Sequence, residues 1–484
     1  MSESGGHVLV FPYPALGHMI PLLDLTHQLA TRGLTITILV TPKNLRLLSP
    51  LLSAHPHSIT PLVLPFPAHP DVPAGVENTI DLPASGFRSM MIALAGLRDP
   101  ILQWFRSHPS PPSAIISDMF LGWANHLASD LGIRGYAFFP SGAFAISFIH
   151  SLWREMPQRK DAGDESEAVE FPEIPYSPVY PWWQLSPVFR SYVKGDPNSE
   201  FIRDSYLGNF ASYGLVFNSF DGLEGIHLDY LAKKMGHDRV WAFGPLLPPD
   251  PTGRGGSSSV LATEICSWLD TCEEHSVVYV CFGSQAVLTN DQMRELTLGL
   301  EKSEVKFILS VKGATKGHDR GGNYGSIPEG FEDRVAGRGL VIKGWAPQVS
   351  ILEHRAVCAF LTHCGWNSTL ESIEAGVPML AWPMGADQYL NTTLLVEQLD
   401  VAVRVCEGPT TVLGSDELVR VLGEVRSEKW SERRGRAMAL SKAASDAVTV
   451  GGTSFKNLDY FATLLGLGLS HSQTIFRCIN IQHE

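Results

Sequence analysis

Short apolar runs alternate along this chain with longer stretches in which apolar positions recur every third or fourth residue. His7-Val8-Leu9-Val10-Phe11 is the first such run, and Pro12, Pro14 and Gly17 punctuate its end. Ile20, Leu23 and His27 then repeat at helical spacing, with Leu22, Thr26 and Leu29 beside them, and Gly33 supplies a stop. Thr35–Val40 is a β-branched run. A strand, helix and strand of these lengths predict a parallel sheet with a crossover helix. Ala114–Asp118 and 215–218 read as further buried strands, and 121–131 as a helix. Between 45 and 112, and again between 157 and 197, the pattern is Pro-rich and irregular and reads as loop, either plain surface or ligand-facing.

The rhythm breaks at 244–259, where four prolines precede three glycines and a serine run. A linker is predicted at 245–259, dividing an N-terminal domain, 1–244, from a C-terminal one, 260–450. The alternation then restarts. Strands are predicted at 277–282, Lys306–Val311, 339–345, 356–362 and 379–383, with a helix over Asn290–Lys302 and a Gly-rich loop at 313–326. In open α/β sheets ligands sit at the carboxyl ends of the strands. A last amphipathic helix, 451–465, carries Phe455, Leu458, Phe461 and Leu464 on one face, and the tail 466–484 has no periodicity and reads as peripheral.

Composition narrows the class. With 44% hydrophobic and 18% charged residues in 484, the chain is a packed α/β protein of more than one domain. A formal charge of −13 repels nucleic acid and anionic membranes. The seven cysteines form no C-x-x-C and suit reduced thiols of a cytoplasmic protein rather than disulfides or a zinc site. No run of about 18 apolar residues is present, so membrane insertion is not expected.

The densest chemistry lies in 345–388, which opens on Trp345-Ala346-Pro347-Gln348 and closes on Asp387-Gln388. Within it a strand runs into His363-Cys364-Gly365-Trp366-Asn367-Ser368, and a helix is predicted from 370 to 375. A helix start after a strand offers N–H groups and a positive dipole end, which suit a phosphate. Gly365 allows close backbone approach. Ser368 and Glu371 also fit an S-x-x-E capping box, which serves stability with no ligand.

This block closely resembles the signature box of plant secondary-product glycosyltransferases, which use UDP-sugars. The opening F-P-Y-P-A-L-G-H-M-I-P-L-L-D-L and the strand ending in Ser117-Asp118 resemble that family too. The resemblance implies the GT-B architecture, two Rossmann-like domains facing across a cleft, with the closing helix returning to the N-terminal domain. It implies that Trp345 stacks on uracil, with Ala346 and Gln348 near the base. Glu371 would accept from the ribose hydroxyls. His363, Gly365, Asn367 and Ser368, with Ser284, would hold the diphosphate. Trp366, Asp387 and Gln388 would read the sugar, Gln388 being the glucose-preferring form. It further implies an inverting transfer with no metal or other cofactor, in a monomer, to a small aromatic acceptor such as a flavonoid, with UDP-rhamnose as the rival donor.

His18 and Asp118 are the candidate catalytic pair. An imidazole near a helix start is kept neutral and able to accept a proton, and a carboxylate can orient it. The plainer alternative is a helix residue and a helix cap. Leu16, where the family usually carries a polar residue, Phe120, Phe138, Phe144, Phe148, Trp182 and Trp183 are candidate acceptor contacts. Pro12 to Gly17 lacks the G-x-G-x-x-G expected of a nicotinamide enzyme. A non-catalytic sugar-nucleotide binder of the same fold would have no need of His18 and Asp118.

Overall fold

The computed structural model describes residues 6–82, 86–246, 259–313 and 324–467. Most of the predicted linker, most of the Gly-rich loop, Cys478 and the tail from 468 onward lie outside the described residues. The chain divides into two compact units. One is drawn from Met1–Trp182, Pro187–Leu246 and Ala447–Glu484, the other from Trp183–Ser186 and Leu247–Asp446.

In the first unit, β1 (His7–Phe11), β2 (Thr35–Val40), β3 (Ile59–Val63), β4 (Ala114–Asp118) and β5 (Arg134–Phe139) come first. A small antiparallel hairpin, β6 (Ala168–Glu170) and β7 (Val179–Pro181), separates them from β8 (Gly214–Phe217) and β9 (Val240–Ala242). The sheet is parallel, in the order β3-β2-β1-β4-β5-β8-β9. The second unit repeats the plan with β10 (Val277–Cys281), β11 (Lys306–Val311), β12 (Gly339–Lys343), β13 (Val357–Thr362), β14 (Met379–Ala381) and β15 (Ala402–Arg404). Its order is β12-β11-β10-β13-β14-β15. Each unit thus reverses strand order beside its first strand, which is the Rossmann arrangement with its ligand-binding switch point. These two α/β units give the chain the GT-B fold.

Burial explains the elements. The helix Leu16–Ala30 buries Met19, Leu22, Leu25, Thr26 and Leu29, while Ile20, Leu23 and His27 on the predicted stripe are only partly covered. The last helix, Thr453–Gly466, places Leu458, Phe461, Leu464 and Leu465 in the same core as Val8, Val10 and Ile116. Ser454 Oγ donates to the Gly244 carbonyl at 2.6 Å, and Arg32 pairs with Asp459 at 2.6 Å.

The regions read as irregular are more regular than expected. Stretch 45–112 contains β3 and the helices Ser49–Ala54, Gly86–Leu94 and Arg98–Ser107. β3 is an edge strand with one fully buried residue and a proline, so its sequence carries little alternation. The predicted strand 339–345 stops at Lys343, because Gly344 takes φ +105° and turns the chain before Trp345. Among the described residues no helix is long and apolar enough to cross a membrane.

Candidate active site

In the first unit the switch point lies between β1 and β4, where Phe11 pairs in register with Ser117. Asp118 ends β4 and is fully buried. After β1 the chain turns to Ala15, an extended N-cap with no side-chain bond, and His18 is the third residue of the helix it starts. His18 Nδ1 and Asp118 Oδ2 are 2.9 Å apart, and the His18 side chain keeps 18% exposure. Asp118 Oδ1 accepts from the Phe120 N–H at 2.9 Å. One Asp118 oxygen thus caps the turn Met119–Leu121, as the plainer reading expects, while the other contacts the imidazole. With Nδ1–H donated to the carboxylate, Nε2 is the accepting nitrogen.

Aromatic rings gather on this imidazole. The Phe120 ring lies 4.6 Å from it and Tyr13 meets it edge-on at 5.5 Å. Phe87 and Tyr206 follow at 6.3 and 6.1 Å from Phe120. Burial first, then the Asp118 charge, pushes the Tyr13 hydroxyl well above its usual range, and burial does the same to Tyr206. Both phenols therefore stay neutral.

The candidate acceptor set divides. Phe120 belongs to this cluster and Leu16 begins the helix that carries His18. Phe138, Phe144 and Phe148 do not join it. Phe138 is fully buried with Val8 and Val10, Phe144 packs on His227 at 4.7 Å, and Phe148 on Phe171 at 4.3 Å, so packing uses their faces. Trp182 is buried under the Arg159 guanidinium at 4.9 Å. Trp183 was expected in the N-terminal half but falls in the second unit, edge-on to Tyr389 at 5.4 Å. Sequence reasoning missed Tyr13, Phe87 and Tyr206. Tyr13 stood in the quoted motif between two prolines, a signal that was available. Phe87 and Tyr206 sit on helices, Gly86–Leu94 and Pro197–Phe210, that were not read as such.

In the second unit the switch point lies between β10 and β13, where Cys281 pairs with Thr362. Gly283 follows β10 at φ +74°, and a Cβ there would stand 2.5 Å from His363 Cε1 and Nε2. A Cβ at Gly365 would stand 2.6 Å from the same Nε2. Glycine at these two positions makes room for the ring. Burial pushes His363 down to about 4, so its imidazole is neutral at pH 7. Cys364 and Ala386 both take left-handed φ, +61° and +53°. Such non-glycine strain gathers at functional sites.

The helix after β13 begins at Trp366, earlier than predicted. Gly365 is its N-cap, with no side-chain bond, and the buried Trp366 anchors the first turn. The capping box expected of Ser368 and Glu371 is therefore not formed, because Ser368 is already the third helical residue. Both side chains instead accept from Gln348 Nε2, at 2.9 and 2.7 Å. Asn367 is half-buried in the same turn. Trp345 is half-buried and Ala346 buried just after β12. Ser284 holds the Lys312 ammonium through its carbonyl. Asp387 occupies the N-cap position of the helix Gln388–Thr393 without a side-chain capping bond, and Gln388 Oε1 accepts from the Met384 and Gly385 N–H groups at 2.8 and 3.1 Å.

Two constellations thus stand at equivalent switch points: a carboxylate-held imidazole among aromatic rings, and a glycine-opened helix start beside a carboxylate and amide side chains. Known proteins resemble the chain in sequence and fold. Residues 255–447 match the family described as UDP-glucoronosyl and UDP-glucosyl transferase. UDP-glycosyltransferase 89B2 of Stevia rebaudiana is 58% identical, covering 96% of this chain and 99% of its own. Flavonol 3-O-glucosyltransferase UGT89B1 of Arabidopsis thaliana is 54% identical, covering 96% and 97%. The crystal structure of Arabidopsis thaliana UGT89C1 with UDP-L-rhamnose superposes with a TM-score of 0.79 at 41% identity, covering 96% of this chain and 100% of that one. The chain belongs to the plant UDP-glycosyltransferases and is a UDP-dependent glycosyltransferase.

Proposed function

We propose that the enzyme transfers glucose from UDP-glucose, with inversion and without a metal, to a phenolic hydroxyl of a flavonol-like acceptor. The observation that carries the reading is the 2.9 Å contact of His18 Nδ1 with Asp118, which leaves Nε2 to accept a proton beside the Phe120 and Tyr13 rings. His18 Nε2 takes the acceptor's hydroxyl proton as the oxygen bonds to the anomeric carbon. The bond from that carbon to the β-phosphate oxygen breaks, and UDP leaves with the electron pair. Asp118 stabilises the imidazolium that forms. Such base catalysis contributes about 10²–10⁴-fold.

The donor roles follow the residues of the second unit. Trp345 stacks on uracil, with Ala346 and Gln348 beside it, and Glu371 accepts from ribose. The helix start at Gly365–Ser368, with His363 and Ser284, receives the diphosphate and the charge that develops on it. Trp366, Asp387 and Gln388 contact the sugar. The glucosyltransferase name of the 54% identical relative supports glucose and a flavonol acceptor. UGT89C1, whose crystal structures include complexes with UDP-L-rhamnose and with quercetin, favours rhamnose as the second reading.

A donor-by-acceptor screen read by mass spectrometry tests this, with His18→Ala alongside. Glucoside formation from UDP-glucose and a flavonol is expected, with loss of transfer but not of UDP binding in His18→Ala. Product from UDP-rhamnose alone would sink the donor assignment. Undiminished transfer by His18→Ala would sink the catalytic one.

A further inference from the structure

The amide of Gln348 is anchored at both ends. Its Nε2 donates to Ser368 Oγ and Glu371 Oε2, while its Oε1 accepts from the Tyr279 hydroxyl at 3.2 Å. Both amide protons and one carbonyl lone pair are thereby committed to protein groups. A side chain so tied is poorly disposed to read a base with its amide, and well disposed to fix its two acceptors.

Tyr279 is built to hold that anchor still. It lies in the middle of β10, an interior strand, with Val278 and Val280 turned into the opposite core. Its ring has no exposure and stacks on Phe360 of β13 at 4.9 Å and 17°, and the two residues are partners in register. Sheet and stacking therefore leave the hydroxyl one position. Burial, and next the Cys281 thiol, pushes that hydroxyl well above its usual range, so it remains a neutral donor at any working pH. Reversing the Gln348 amide would turn its carbonyl toward the Glu371 carboxylate, an acceptor against an acceptor.

We propose that Tyr279 is a positioning residue for the donor nucleotide, acting through Gln348 to set the Glu371 carboxylate and the Ser368 hydroxyl. This rests on the donor reading above, in which Glu371 accepts from ribose and Ser368 serves the diphosphate. A carboxylate offers about four lone-pair sites. The bond from Gln348 uses one and holds that oxygen in place, so that the nucleotide need not order it on arrival.

The test uses the full chain. Tyr279→Phe removes one oxygen and keeps the ring stack. UDP binding is measured by calorimetry, and KM and kcat with UDP-glucose and a phenol. The expected result is a rise of about five- to tenfold in the UDP dissociation constant and in KM for the donor, the size of one lost bond in a charged network. Turnover and the acceptor KM should stay within about threefold, since the chemistry is untouched. A merely structural tyrosine would not confine its effect to the donor. Gln348→Ala, alone and combined with Tyr279→Phe, completes a cycle. The double variant should bind UDP no worse than Gln348→Ala, because the tyrosine acts through the amide. Independent losses, or an unchanged UDP constant in a folded Tyr279→Phe, would overturn the proposal. Should Tyr279→Phe fail to fold, Gln348→Ala decides, and unaltered UDP binding there overturns it equally. Glu371→Ala separates the two levels. If that variant binds UDP normally the donor reading itself fails, whereas its loss with Tyr279→Phe unaffected removes only the role of the tyrosine.

Discussion

His18 Nδ1 and Asp118 Oδ2 stand 2.9 Å apart although 100 positions separate the two residues in the chain. The pairing of β1 with β4 produces this contact. Phe11 and Ser117 are register partners, so the turn after one strand and the last residue of the other meet on a single edge. No local sequence preference is needed beyond two buried parallel strands and an early helix start.

Asp118→Asn tests what the carboxylate contributes. Asparagine fills the same volume and can still accept from the Phe120 N–H, so fold and UDP binding should persist. An amide donor facing Nδ1 would favour the other tautomer, with the proton on Nε2, and the imidazole could no longer accept. The expected fall in kcat is about 10²–10⁴-fold, with the donor KM nearly unchanged. Initial rates under saturating donor check this, and a kcat within threefold of the parent would remove Asp118 from the catalytic scheme.

Gly283→Ala should damage the donor site through sterics alone. The added methyl would lie 2.5 Å from the His363 ring, and φ +74° is unfavourable for alanine. Strain of this kind costs on the order of 1–3 kcal/mol. Displacing His363 should weaken UDP binding by at least about tenfold, more than a single hydrogen bond accounts for. Gly423→Ala is the comparison, since nothing lies within 4 Å of the new methyl in the helix Ser415–Glu424. That variant should bind UDP normally and gain up to about 1 kcal/mol in denaturant melts. Equal UDP affinity in both variants would show that the close approach of Gly283 to His363 is immaterial.

The buried strands were legible because both faces of a parallel sheet are covered and their runs are apolar throughout. His7–Phe11, Thr35–Val40, Ala114–Asp118 and Lys306–Val311 are recovered to the residue, and the other predicted strands within two residues. What escaped were elements whose pattern is diluted by exposure, such as β3, or interrupted, such as β5, which opens on Arg134 and Gly135, and the helix Ala143–Glu155, buried on nearly every side. At the site, His18, Asp118 and the 345–388 block stood out because their chemistry is written in contiguous motifs. The Tyr13, Phe87, Phe120 and Tyr206 cluster joins four separate stretches of chain, and only tertiary packing brings such rings together. That Phe138, Phe144 and Phe148 lie outside this cluster has the same origin. An aromatic near a motif in sequence is as readily turned into the core as toward a ligand.

Acid should destabilise the fold in a defined window. Burial pushes both His150 and His363 down to about 4, against 6.5 for a free imidazole. The folded state keeps these rings neutral while the unfolded chain protonates them. Their stabilising contribution is complete above pH 6.5 and is lost as pH falls toward 4, with a slope of up to about 1.4 kcal/mol per pH unit for each ring. His150 packs on Phe210 at 4.1 Å, away from either constellation, so His150→Phe should keep a ring and remove one titration. Denaturant melts between pH 4 and pH 8 should show a shallower loss in His150→Phe with activity at pH 8 intact. A parallel pH profile in the two proteins would contradict the assignment.

Gln388 offers the sharpest test of the donor sugar. Its Oε1 is engaged by the Met384 and Gly385 N–H groups, so the amide nitrogen is the end turned from that loop. Gln388→Glu preserves the accepting oxygen, and with it the loop, but replaces the N–H donors by a second acceptor. If that nitrogen donates to a glucose hydroxyl, kcat/KM for UDP-glucose should fall by about 10- to 100-fold, because a site built to donate meets an unmatched acceptor. UDP itself lacks the sugar, so its dissociation constant should move by less than threefold. UDP-rhamnose run in parallel distinguishes the two donor readings. An equal loss for both sugars would assign Gln388 to a position common to them, whereas an undiminished rate with UDP-glucose would take Gln388 out of sugar recognition and return it to the structural task of tying its own loop.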